Sequence, residues 1–217
     1  MAQMFPKWAN KTPKFLIAGV LTTAVVVTFG FWYFGSPKYL EVGYRPKQPV
    51  PYSHKLHAGD LGMDCRYCHI GVEKSAHASV PATSTCMNCH TQVAAKSEKL
   101  LPVRESYATN KPVEWVKVHK VPDFAYFNHS VHVNVGVGCK SCHGNVAQMD
   151  ERGVMQVEPL SMGWCLDCHR NPEPHLRPKS EVTNMDWVMP ANQKEFAAKL
   201  IAEKKINPPV DCGACHR

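Results

Sequence analysis

Not one cysteine in this sequence stands outside a five-residue motif. That absence excludes a disulfide-stapled fold, because each cysteine pair is too local to join distant segments and no thiol is left over. No basic-aromatic recognition pattern occurs either, which argues against nucleic acid as a partner. A third absence is charge: the twenty residues Phe15 to Phe34, FLIAGVLTTAVVVTFGFWYF, contain none. What is present follows from these gaps. All ten cysteines fall in five Cys-x-x-Cys-His motifs, Cys65–His69, Cys86–His90, Cys139–His143, Cys165–His169 and Cys212–His216. Paired Cys-x-x-Cys also holds structural zinc, but a zinc site does not need histidine directly after the second cysteine. With 12 histidines in 217 residues, its chance appearance after all five pairs is on the order of one in a million. The spacing is that of c-type haem attachment, in which two thiols form thioethers to the porphyrin and the histidine ligates iron. Five covalent haem c groups are therefore expected. They would be held by Cys65, Cys68, Cys86, Cys89, Cys139, Cys142, Cys165, Cys168, Cys212 and Cys215, with His69, His90, His143, His169 and His216 on the irons.

The uncharged run is long enough, as a helix, to cross a bilayer core of about 30 Å. It ends in Phe31-Trp32-Tyr33-Phe34 rather than in a small-x-small cleavage site, so it reads as a retained anchor and not as a cleaved secretory signal. Lys7, Lys11 and Lys14 flank its start, which places the N-terminus in the cytoplasm and the rest of the chain in the periplasm of a bacterial inner membrane. About 180 residues then remain for five haems. Such a chain cannot wrap each porphyrin separately, so the porphyrins are expected to form much of the core. Seventeen prolines exceed the usual share of about 5%. The expected fold is mainly α and irregular: one N-terminal transmembrane helix plus a compact multihaem domain with little strand. The formal charge of +7 is offset by haem propionates, for which lysine and arginine are the natural partners.

An internal repeat divides the domain. Tyr52-Ser53-His54-Lys55-Leu56-His57 precedes Cys65, and Phe127-Asn128-His129-Ser130-Val131-His132 precedes Cys139. The expected layout is an anchor over 1–34, a first dihaem module over 35–110 and a connecting segment over 111–125. A second dihaem module over 126–180 and a C-terminal helix with the fifth haem over 181–217 complete it. Asn192-Gln193-Lys194-Glu195 resembles a capping box ahead of Phe196, Leu200 and Ile201 at helical spacing.

Spare ligands decide the chemistry, since a haem that only passes electrons needs both axial positions filled. Seven histidines lie outside the motifs. His54, His57, His129 and His132 are the favoured distal ligands, because three-residue spacing lets neighbours reach different irons, and His119 is a further candidate. His77 and His175 read as surface or propionate-bonding residues. Met185 and Met189 are the candidate thioether ligands, and the haem one of them served would have the highest potential.

The His-x-x-His lead into Cys-x-x-Cys-His resembles the class III low-potential cytochromes. That resemblance implies that His54 caps the haem at Cys65–His69 and His129 the one at Cys139–His143, with His57 and His132 reaching to other haems. One anchor, five haem motifs, the run from His119 through Pro122-Asp123-Phe124 to Phe127-Asn128-His129, and Leu160-Ser161-Met162-Gly163-Trp164-Cys165 together resemble the pentahaem cytochrome subunit of bacterial alternative complex III. It implies an electron-transfer subunit, not an enzyme on its own, in a quinol-oxidising respiratory or photosynthetic complex. The implied partners are an iron–sulfur protein, an integral quinol-binding subunit and a monohaem cytochrome or oxidase. Two other classes compete. A stand-alone membrane quinol dehydrogenase would have four haems in a different layout. A catalytic multihaem reductase is commonly marked by Cys-x-x-Cys-Lys, which does not occur here.

Overall fold

The computed structural model describes residues 4–216, and the chain divides between Glu41 and Val42 into two compact units. In the first unit a 3-10 turn, Lys7–Lys11, leads into α1 (Thr12–Phe34) and the short α2 (Pro37–Leu40). Pro13 sits in the first turn of α1, where its missing N–H costs nothing. The helix is apolar all round and none of its residues is buried, which is the character of a lipid-facing helix rather than an amphipathic core helix. At its C-terminal end the rings of Tyr33, Phe34 and Tyr39 meet with centroids 4.9–5.7 Å apart. Such a cluster suits the boundary between hydrocarbon and headgroups. At 23 residues α1 is about 35 Å long, enough for a single-pass anchor.

The second unit has no strand among its described residues, only isolated antiparallel bridges Ala125↔His216 and Val137↔Leu176. Eight short helices carry it: α3 (Cys65–Cys68), α4 (Thr83–His90), α5 (Leu101–Thr109), α6 (His129–Val135), α7 (Lys140–His143), α8 (Met162–Arg170), α9 (Gln193–Lys204) and α10 (Cys212–Cys215). Several start at a side-chain cap. Asp64 accepts from Arg66 N, Asn128 from Ser130 N, Ser161 from Trp164 N and Asp211 from Ala214 N. α9 forms where the periodicity places it, but without the expected capping box. Asn192 adopts ψ 28° and makes no side-chain cap bond. The buried Gln193 instead donates to Glu173 O at 2.6 Å and Leu176 O at 2.7 Å, so tertiary contacts fix this helix start.

The polypeptide core is sparse. Among the described residues the buried hydrophobics are Val50, Val103, Val133, Met149, Leu176, Val182, Met185 and Ala197. A folded monomer of 24.3 kDa usually exposes about 10,000 Å², whereas this chain exposes 15,216 Å². The exposed anchor helix accounts for part of that excess. The rest arises from short helices that do not close on one another. The best-packed region surrounds Leu176 and Arg177. Here Gly136, at φ 105°, accepts from Arg177 N at 2.9 Å, and a side chain at Gly136 or Gly138 would collide with Arg177.

Candidate haem sites

Each Cys-x-x-Cys-His motif falls on a single helical turn or at the end of a short helix. All ten thiols are unpaired. Burial, with a contribution from neighbouring thiols, pushes Cys139 up to about 11 and Cys142 up to about 12. Among the described residues no three His, Cys, Asp or Glu side chains converge on one point, as the four ligands of a structural zinc ion would.

The histidines carry the more specific geometry. In four of the five motifs the Nδ1 of the histidine lies against a main-chain carbonyl: His69 on Ser79 O at 2.7 Å, His90 on Val93 O at 2.8 Å, His169 on Pro209 O at 2.6 Å and His216 on Phe124 O at 3.0 Å. Three histidines outside the motifs do the same, His57 on Ser53 O at 2.8 Å, His129 on Ala76 O at 2.8 Å and His132 on Asn128 O at 2.7 Å. A carbonyl can only accept, so Nδ1 carries the hydrogen and Nε2 keeps a free lone pair. Metal-ligating histidines are oriented in this way.

The rings also stand opposite one another at a revealing distance. An iron between two imidazoles needs ring centroids roughly 6.4 Å apart, from two metal–nitrogen bonds of about 2 Å and two ring radii of about 1.2 Å. His57 and His90 lie at 6.1 Å, His132 and His169 at 6.1 Å, and His129 and His143 at 6.4 Å with planes 12° apart. Burial, and then the nearby His69 and His57, lowers His54 to about 4. His119 differs. Its ring meets His143 edge-on at 4.3 Å, too close for an ion between them, and its Nε2 is buried without a hydrogen-bond partner. Burial lowers His119 to about 4 and His143 to about 3, so both rings are neutral near pH 7, the form that binds metal.

The sequence repeat is a repeat in space. Tyr52 stacks on His57 at 4.5 Å and meets His54 edge-on at 4.7 Å. Phe127 stacks on His132 at 4.5 Å and meets His129 edge-on at 4.8 Å. The backbone beneath differs, since Lys55–Asp60 is a π-helical turn and His129–Val135 an α-helix. These aromatics, which clamp both rings of each pair, were legible only as the first residue of the repeat. The carbonyl acceptors were not legible at all, because any residue supplies one.

Of the remaining candidates, Met185 is buried and its carbonyl accepts from Lys140 Nζ at 2.8 Å, beside the third motif. Met189 is half exposed. His175 ends a 3-10 turn and His77 lies in the loop after the first motif. The ring of Phe124 lies 5.8 Å from that of His216.

This combination of free Cys-x-x-Cys thiols, carbonyl-anchored imidazoles and a thin polypeptide core defines a multihaem cytochrome c, and comparison with known proteins agrees. The family model for cytochrome c7 and related cytochromes c matches residues 125–217. The chain is also 30% identical over 171 residues to the multiheme cytochrome c subunit of a menaquinone reductase from Nitratidesulfovibrio vulgaris, covering 70% of this chain and 79% of that protein. The chain belongs to the multihaem cytochrome c family.

Proposed function

We propose that this chain is the electron-relay subunit of a membrane quinone–quinol oxidoreductase, carrying five covalent haem c groups and anchored by α1. The observation that carries the reading is the set of opposed imidazoles at 6.1–6.4 Å, with the Nδ1 atoms of His57, His129 and His132 tied to carbonyls. A haem closed on both faces transfers electrons and does not bind substrate. Accordingly, His54 serves opposite His69, His57 opposite His90, His129 opposite His143 and His132 opposite His169. His119, Met185 and Met189 are the chain's other candidate ligands, and His216 is the motif histidine still to be matched. The four distal histidines fall in the two dihaem modules, 35–110 and 126–180, which the segment 111–125 joins; 181–217 carries the fifth haem. The chain itself fixes the tautomer of His57, His129 and His132 through main-chain carbonyls and buries Cys139, Cys142 and His143.

The lysines ahead of α1 favour a cytoplasmic N-terminus and a periplasmic haem domain. Partners of the kind found in alternative complex III follow: an iron–sulfur protein, an integral quinol-binding subunit, and a monohaem cytochrome or oxidase as acceptor. The Nitratidesulfovibrio relative is named for menaquinone reduction, the reverse of quinol oxidation. A relay of closed haems serves either direction, which the potentials of its partners set.

Purification in mild detergent tests the proposal. Co-purification of an iron–sulfur chain and an integral membrane chain, with quinol turnover in the assembly and none in the isolated cytochrome, is the expected result. Quinol turnover by the isolated chain would instead make it a stand-alone dehydrogenase. Stoichiometric nitrite or carbon monoxide binding at several haems would make it a reductase.

A further inference from the structure

The order of the five motifs along the chain is not their order in space. The first and second motifs are neighbours, because Asn88 Nδ2 donates to Tyr67 OH at 3.2 Å, and the turn just ahead of the first motif places His57 6.1 Å from His90 of the second. The first and third are neighbours through the loop after His69. His69 Nδ1 rests on Ser79 O, and three residues earlier Ala76 O receives Nδ1 of His129, the ring opposite His143. Asn134 Nδ2 donates to Glu73 O at 2.9 Å in the same loop, and Thr183 Oγ1 donates to Asp64 at 3.1 Å while Val182 O accepts from Cys139 N at 2.9 Å. The third and fourth are joined by the turn that carries His129 and His132, opposite His143 and His169. The fourth and fifth are joined at Pro209, whose carbonyl accepts from His169 Nδ1 three residues before Cys212. The fifth also folds back on Phe124 and Ala125, just ahead of Phe127.

Sequence order would require the second motif to pack on the third. Its helix α4 packs instead on α5, where Ser106 Oγ donates to Thr83 Oγ1 at 3.4 Å. Exposure agrees with this. Of the ten cysteines only Cys89 and Cys212 are exposed, and they belong to the second and fifth motifs. In the first, third and fourth motifs neither cysteine is exposed.

We infer that the five attachment motifs form a line in the order second, first, third, fourth, fifth, whose exposed ends at Cys89 and Cys212 are the two faces that meet the electron donor and acceptor. The inference rests on the proposed five-haem reading. Neighbouring chains therefore need to approach only those ends: the rim of the second motif near Val93, and the rim of the fifth near Phe124 and Val210, all exposed apolar residues.

Cryo-microscopy of the full-length holoprotein, in detergent or in its complex, measures the iron–iron separations directly. The expected result is that the third iron lies nearer the first than the second, that the second and fifth irons are the farthest apart, and that partner chains seat at those ends. A third iron nearer the second than the first, or a partner seated at the first or third motif, overturns the inference. The mass of the purified chain is read separately. Fewer than five haems would count against the five-haem reading, whereas five haems in another spatial order would count against this inference alone.

Discussion

Asp64 joins two motifs, and its removal has a calculable cost. Its carboxylate caps α3 through Arg66 N at 2.8 Å, pairs with the Arg66 guanidinium at 2.8 Å and accepts from Thr183 Oγ1 at 3.1 Å. An N-cap is worth about 1 kcal/mol. The hydrogen bond to Thr183 adds about 1 kcal/mol. The exposed ion pair adds between about 0 and 1 kcal/mol. Asp64→Ala should therefore destabilise the haem domain by about 2 kcal/mol, a fall in Tm of about 4–8 °C for a domain of this size. Asp64→Asn keeps the cap and should lose about half as much. Thr183→Val removes only the contact between segments and should lose about 1 kcal/mol. Thermal unfolding of the holoprotein, followed by far-ultraviolet circular dichroism, measures all three. The pH dependence gives an independent check. The side-chain bond to Arg66, then the main-chain bond and Thr183, hold Asp64 down to about 2 against burial, from an ordinary 3.8. A depressed carboxylate contributes its stability above the unfolded value, and that contribution is lost as pH falls from 3.8 through about 2. Wild type should thus lose stability over that window relative to Asp64→Ala, and the curves should converge at its acid end. An Asp64→Ala variant within 0.5 kcal/mol of wild type, a difference below about 2 °C, would refute the reasoning.

Two further outcomes follow from the site and its packing. His57→Ala and His132→Ala should each convert one haem to a high-spin spectrum while the mass shows every haem still attached; an unchanged low-spin spectrum would reject these distal assignments. Gly138→Ala should destabilise by about 1–3 kcal/mol in chemical unfolding, because the new methyl group falls on the buried guanidinium of Arg177; a neutral result would mean that Arg177 moves aside freely.

The attachment chemistry was legible in the sequence because it depends on side chains at fixed local spacing. Cys-x-x-Cys-His repeated five times admits little else, and Phe15 to Phe34 could be read as one long apolar helix because the run is uncharged throughout. The pairing of His-x-x-His with its aromatic was visible as a repeat, and its geometry recurs even though one copy is a π-turn and the other an α-helix. The spatial order was not legible. It rests on main-chain carbonyls of Ser79, Ala76, Pro209 and Phe124, whose positions depend on loop closure and not on residue identity. The start of α9 shows the same limit, since a plausible local cap lost to the tertiary bonds of Gln193. His119 illustrates a third: the sequence offers it as a spare ligand, and only the fold brings its ring 4.3 Å from His143.

The thin core has a consequence for how the protein is made. Among the described residues only eight hydrophobic side chains are buried, so the porphyrins are left to supply much of the apolar surface that ordering the chain requires. The polypeptide therefore cannot fold first and be loaded afterwards. Thioether bonds must form while the chain is still open, and each porphyrin attached becomes the surface on which the next segment collapses. Assembly is thus a sequence of covalent events followed by folding. A chain that misses one attachment should become a substrate for proteases rather than a slightly less efficient relay.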